Sequence, residues 1–207
     1  VHLVGFGAVR EEVMGVEPRE PTPEELEKMR SLVRQAMEEG AWGMSSGLEY
    51  VPGRYASTAE IIAVAKVVGE FGGVYSSHQR NEFDGVLEAT QETIRIAEEA
   101  GVRGNSTHLK VARKNYWGVM EEAVGLINNA RARGVEVGAD MYPYHFASGG
   151  PIIPIARNAG WAPFHLPNDM EPFAGLRREL ENESLPDSER QALRDRYVDE
   201  LAKALSD

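Results

Sequence analysis

Four residues divide the first two-thirds of this chain at an almost even beat. Ser46, His78, His108 and Asp140 each close a short run of small or apolar residues, and they stand 32, 30 and 32 residues apart. With a run at the start of the chain, these give five expected strands, at 2–5, 42–46, 74–78, 103–108 and 135–140. The stretches between read as helices. Thr22-Pro23-Glu24-Glu25 is a helix start, with a Thr cap and an acidic first turn, and Leu26, Met29, Leu32, Val33 and Ala36 follow at helical spacing up to Gly40. Ser57-Thr58-Ala59-Glu60 has the form of a capping box opening a second helix to about Phe71. A third, capped by Asp84, ends before Gly101, and a fourth runs over 116–133 and stops at Gly134.

Strand and helix alternating with short connections predict a parallel sheet with right-handed crossovers. The runs show little alternation, as expected of strands covered on both faces. The fold class is therefore α/β, and the regular repeat suits a (β/α)8 barrel of the TIM type, which needs about 250 residues. Five strands and four helices make a little over half of one. An open doubly wound sheet shares the local pattern and stays as the alternative, although no G-x-G-x-x-G follows any of these strands.

After Tyr144 the rhythm breaks. Residues 147–151 read as loop, 154–172 are rich in Pro, Gly and aromatic residues, and two helices follow. In the last of them Leu193, Tyr197, Leu201 and Leu205 form an apolar row at four-residue spacing. The expected division is a partial barrel over 1–148 and a loop with two helices over 149–207, inserted into the barrel or capping it. The chain opens on Val1 rather than Met, and VHLVGFG has neither a basic region nor a cleavage site. A signal peptide is therefore not expected, and the segment reads as internal to a longer polypeptide. A net charge of −11 argues against nucleic acid or an anionic membrane as partner. No apolar run reaches the ~18–20 residues needed to cross a bilayer. Absence of cysteine removes disulfides and thiolate metal ligands from this stretch, and it fits a reducing, cytoplasmic setting.

The informative chemistry lies in His78 and His108, each at or near the end of its strand, on consecutive strands. Neighbouring parallel strands lie ~4.8 Å apart, so two imidazoles at matched height can converge on one metal at ~2.0–2.1 Å. They would do so at the carboxyl-end rim, where barrel enzymes keep their sites. The alternative is two unrelated histidines hydrogen-bonded at strand ends. Asp140 either braces a ligand histidine or bonds backbone near Tyr142. Arg80 and Glu82 either pair with each other or orient His78. His2, His145 and His165 lack ligand spacing and read as structural.

Four stretches carry a family resemblance: 43–53 (GMSSGLEYVPG), 77–82 (SHQRNE), 107–110 (THLK) and 140–144 (DMYPY). In this order and spacing they resemble the N-acyl-D-amino-acid deacylases (D-aminoacylases) of the amidohydrolase superfamily, over about residues 1–148. The resemblance implies a metal-bearing (β/α)8 barrel of which these strands are the third to seventh. His78 and His108 would be the ligands of the fifth and sixth strands, holding zinc or another divalent metal. Lys110, two residues past His108 and so on the same face, would pair with the free carboxylate of the substrate. Tyr50, Tyr142 and Ser148 would help bind that end.

Parts of the family's site have no match here. The His-x-His of the first strand does not occur, nor does the further cysteine ligand, and no eighth strand supplies the catalytic Asp, expected downstream. No catalytic residue is therefore assigned within the segment, and the segment alone is expected to be inactive. The implied reaction is hydrolysis of an N-acyl-D-amino acid, a small-molecule substrate, to a D-amino acid and a carboxylate. A cyclic amidase of the same superfamily, dihydroorotase- or hydantoinase-like, and a barrel kept as a non-catalytic scaffold are the alternatives. A partial barrel exposes two unpaired strand edges, so self-association is expected unless the C-terminal helices cover them.

Overall fold

Five strands form one wholly parallel sheet in sequence order: β1 (Leu3–Gly5), β2 (Gly43–Gly47), β3 (Val74–His78), β4 (Arg103–Ser106) and β5 (Val137–Ala139). The computed structural model describes residues 2–112, 114–143, 186, 188, 189, 192, 193, 195 and 196. Helices α1 (Phe6–Met14), α2 (Pro23–Glu38), α3 (Thr58–Glu70), α4 (Val86–Ala100) and α5 (Met120–Ala132) alternate with the strands. This is the α/β order of part of a (β/α)8 barrel. The chain divides into two compact units, Val1–Pro143 and Tyr144–Asp207. In the second, the six described residues from 188 to 196 are helical. Among the described residues no helix is long and apolar enough to cross a membrane.

Sheet burial alternates, contrary to the expectation of strands covered on both faces. On β3, Tyr75 and Ser77 are fully buried, while Val74, Ser76 and His78 are half-buried. Helices pack on the side that holds Tyr75, Met44 and the apolar residues of α3. The other side carries small and polar residues in register, Gly5, Ser45, Ser76, Asn105 and Gly138. Small side chains there explain why period-two patterning is faint in the sequence.

Helix α1 is a fifth helix that the sequence signals did not announce. Its N-cap, Gly5, makes no side-chain cap, and Gly7 sits in its first turn. It is held instead by burial of Phe6, Val9 and Met14 and by Arg10, which is completely buried. Arg10 Nε donates to Glu60 Oε1 at 3.0 Å, and its two terminal nitrogens donate to the carbonyls of Glu17 and Arg19. That ion pair also explains a departure at α3. Ser57 Oγ accepts from the Glu60 backbone N–H, but the Glu60 carboxylate turns to Arg10 and does not complete the box.

The box at α2 is complete, since Thr22 Oγ1 accepts from Glu25 N and Glu25 accepts from Thr22 N. Arg19 adds two bonds of 2.7 Å to the same carboxylate. Arg19 first, then the Thr22 N–H, lowers the Glu25 pKa from 4.5 to about 2. A depressed carboxylate stabilises the fold above its unfolded pKa, and that contribution fades as pH falls toward the folded value. Carboxyl-detected NMR should place Glu25 near pH 2, returning toward 4.5 in Arg19→Ala.

Three other boundaries differ from expectation. The N-cap of α4 is Gly85, without a side-chain cap, because Asp84 Oδ1 accepts from Asn81 instead. The segment Lys114–Val119 is a 3-10 turn, and α5 begins only at Met120. Strand β4 ends at Ser106, so His108 lies beyond it with a positive φ of 42°.

Candidate metal centre

The site is built from the segments that leave the carboxyl ends of β2 to β5. A cleft of about 450 Å³ opens there, with Ser45, Gly47, Tyr50, Ser76, His78 and His108 in its wall. His78, last residue of β3, is in register with Gly47 of β2. A side chain at Gly47 would collide with the Tyr50 ring at 2.2 Å, so this glycine makes the room that Tyr50 fills. The Tyr50 ring lies 5.2 Å from that of His78.

His108 reaches the same point from a loop. Asp140 Oδ1 accepts its backbone N–H at 2.8 Å, Asp140 O accepts from Leu109 N, and Thr107 N donates to Ser77 O. Asp140 Oδ2 accepts from Asn105 at 2.6 Å. Asp140 thus binds the backbone of His108 rather than its ring, which holds a left-handed conformation unfavourable to most side chains. Of the two sequence alternatives this is nearer the first, a brace on a candidate ligand histidine, but one made through its backbone.

His78 Nδ1 and His108 Nε2 face each other at 3.0 Å, with the rings nearly perpendicular. Two nitrogens on one tetrahedral zinc, at 2.0–2.1 Å each, stand about 3.3 Å apart. Glu82 supplies a third donor. It is 5% exposed, and its Oε1 lies 3.0 Å from His108 Nδ1 and 3.9 Å from His78 Nδ1. Neither ring donates a hydrogen bond to it, so Oε1 is a buried oxygen with no hydrogen-bond partner among the described residues. An unsatisfied buried carboxylate oxygen beside two imidazoles is costly unless a cation meets it. His78, Glu82 and His108 present ligand atoms within 4.8 Å of one another, and the donor set fits a divalent ion.

Lys110 Nζ forms an ion pair with Glu82 Oε2 and donates to His108 Nδ1 at 3.0 Å. Tyr142 places its ring 6.0 Å from the same ammonium. Burial, then the nearby charges of Glu49 and Glu82, pushes the Tyr50 hydroxyl pKa up, so Tyr50 stays a hydrogen-bond donor. Beneath the site, burial takes the Tyr75 hydroxyl to about 12, and Ser46 Oγ links it to Ser77.

The structure therefore gathers His78, His108, Lys110, Tyr50 and Tyr142 at one rim. Ser148, like His145 and His165, lies outside the described residues. His2 is exposed and away from the cluster; its carbonyl accepts from Trp42 N. Arg80 does not pair with Glu82. It binds Glu92 through two nitrogens and the carbonyls of Arg54 and Ala56, which ties the segment after Tyr50 to the strand of His78. Glu49 was not singled out from sequence, and Glu82 was read only as a partner of Arg80 or an orienter of His78, not as a third metal donor. Glu82 stands four residues after His78, and Glu49 directly precedes Tyr50; those spacings were the available signals.

No family model matches the chain. It is 39% identical over 142 residues to a D-aminoacylase of Alcaligenes xylosoxydans xylosoxydans, and 35% identical to an N-acyl-D-glutamate deacylase of the same organism. Each match covers 69% of this chain and 29% of the relative, so the chain spans under a third of the curated relatives' length. Among solved structures, the N-acyl-D-glutamate deacylase of Bordetella bronchiseptica, a complex with zinc and a phosphonate inhibitor, matches with a TM-score of 0.66. Identity there is 38%, over 69% of this chain and 30% of that one. Over that matched part, this chain belongs to the N-acyl-D-amino-acid deacylase (D-aminoacylase) family, within the amidohydrolases.

Proposed function

We propose that the whole protein is a metal-dependent hydrolase of linear amides, cleaving N-acyl-D-amino acids to a D-amino acid and a carboxylate. The observation that carries this reading is the 3.0 Å convergence of His78 Nδ1 and His108 Nε2 beside the ammonium of Lys110. His78 and His108 would hold zinc or another divalent ion, with Glu82 Oε1 within reach. Such an ion, when bound, polarises a scissile carbonyl and lowers the pKa of water toward ~7. Lys110 would bind the free carboxylate of the substrate through charge-assisted bonds, favouring acyl amino acids over neutral amides. Tyr50 would donate its hydroxyl to the same end, with Tyr142 and Ser148 alongside.

Returning a proton to the leaving amine needs a carboxylate free to move it. Asp140 is committed to the His108 backbone and Asn105, and Glu82 to Lys110. We assign that role to an Asp beyond this segment. The 207 residues alone are accordingly expected to show no measurable turnover of an N-acyl-D-amino acid; turnover would overturn that assignment.

The cysteine-free composition and the charge of −11 support a cytoplasmic enzyme acting on a small molecule, without nucleic-acid or membrane partners. We also propose, for the isolated segment, association through the edges of β1 and β5, or their cover by the C-terminal helices. Light scattering should then show a dimer or larger species when 149–207 are deleted, and a clean monomer counts against both.

The deciding assay offers the full-length protein N-acyl-D-amino acids, their L-enantiomers, dihydroorotate and hydantoin, before and after chelation. Turnover of the linear D-substrates, lost to chelator and restored by zinc, is the expected result. Turnover of the cyclic amides alone would move the assignment to a cyclic amidase. A zinc-loaded protein inert to all of them would be a scaffold.

A further inference from the structure

We infer that Glu49 is a positioning residue for the metal centre, fixing which nitrogen of His78 is offered to the ion. The inference rests on the function proposed above. His78 Nε2 lies 2.8 Å from Glu49 Oε2, and no other side-chain acceptor is in hydrogen-bonding contact with Nε2 among the described residues. A carboxylate accepts and does not donate, so Nε2 carries the ring hydrogen. The lone pair is then left on Nδ1, the nitrogen that faces His108 Nε2 at 3.0 Å. Ligand histidines commonly owe their tautomer and ring angle to such an outer carboxylate, whose loss costs ~10–100-fold in metal affinity.

The rest of the loop fits this role. Leu48, beside Glu49, is buried, and its N–H donates to the carbonyl of His78 itself. At the far end Arg80 bonds the carbonyls of Arg54 and Ala56. The segment from 48 to 56 is therefore fastened at both ends to the chain around His78, and Glu49 approaches Nε2 from a fixed base. Because Tyr50 follows directly, the residue that orients the ligand and a residue lining the cleft share one short loop. Glu82 cannot substitute: its nearer oxygen is 3.9 Å from His78, and on the Nδ1 side.

The test uses the full-length protein and zinc alone, titrated in competition with a chromophoric chelator. Glu49→Ala is expected to weaken zinc binding about 10–100-fold. Glu49→Gln, whose amide oxygen can still accept from Nε2–H, should fall between it and wild type. Nitrogen shifts of histidine-labelled, zinc-loaded wild type should show Nε2 protonated on His78, a readout that needs no variant to fold. Zinc affinity of Glu49→Ala within twofold of wild type, equal losses in the Ala and Gln variants, or a proton on Nδ1 of His78 would each overturn the inference. If wild type binds zinc no more tightly than His78→Ala, the metal centre itself is wrong and the inference goes with it. Weak binding confined to the Glu49 variants leaves the centre standing.

Discussion

Replacing either His78 or His108 by alanine in the full-length protein should abolish zinc-dependent turnover, by a factor on the order of a thousand or more. The size follows from the chemistry the ion supplies. Water has a pKa of ~15.7 in bulk and ~7 on zinc, so losing the ion removes most of the nucleophile present at neutral pH. Each imidazole is one of the three protein donors that converge in this segment, and catalytic zinc sites usually keep three. His78→Ala is the cleaner variant, because His78 sits in regular strand geometry. His108 holds a φ of 42° in a turn, a backbone cost that histidine and alanine both pay, but truncating it also removes its ring contacts with Lys110 in that turn. Thermal melts separate the loss of those contacts from the loss of metal. Zinc stoichiometry near one and turnover within tenfold of wild type in either variant would refute the assignment.

The largest effect on stability is expected at Arg10. Arg10→Ala leaves the Glu60 carboxylate buried without its cation, and breaking one side of a buried pair costs about 3–5 kcal/mol. Two backbone carbonyls, of Glu17 and Arg19, lose their donors as well. Urea denaturation measures the loss. Replacing both partners with apolar residues, Arg10→Met with Glu60→Leu, should cost less than Arg10→Ala alone, because no charge is then stranded. The deficit of Arg10→Ala should also depend on pH. Burial, the largest influence, already raises the Glu60 pKa, with Arg10 opposing. A carboxyl whose folded pKa exceeds its unfolded value binds more protons when folded, so stability falls as pH rises through that window. The deficit should therefore shrink on acidification toward pH 4.5 and grow above it. A deficit independent of pH would place the damage elsewhere.

The parallel order and the rim position of both histidines were legible because strand and helix alternate at a regular repeat. Gly40, Gly101 and Gly134 mark helix ends in the sequence, and all three take positive φ in the structure. Helix α1 was not legible, since what holds it is Arg10 meeting Glu60 fifty residues away. The same pair redirected Glu60 from a capping role that its spacing alone suggested. His108 was placed at a strand end, yet it sits two residues past β4 in a turn held by Asp140, and local pattern cannot report a contact over 32 residues. Glu49 went unassigned, and Glu82 was not read as a metal donor, for a similar reason. A carboxylate at a loop start looks the same in sequence whether it faces solvent or an imidazole.

The alternation along β3 has a consequence for how such a protein can change. Tyr75 and Ser77 face the helices, whereas Ser76 and His78 face the cleft. Neighbours one peptide bond apart thus answer to different demands, one set to folding and the other to whatever molecule enters. Exchange at Ser45 or Ser76 can reshape the wall of the cleft while Met44 and Tyr75 go on packing undisturbed. What such a cleft admits can drift without the scaffold having to be re-made.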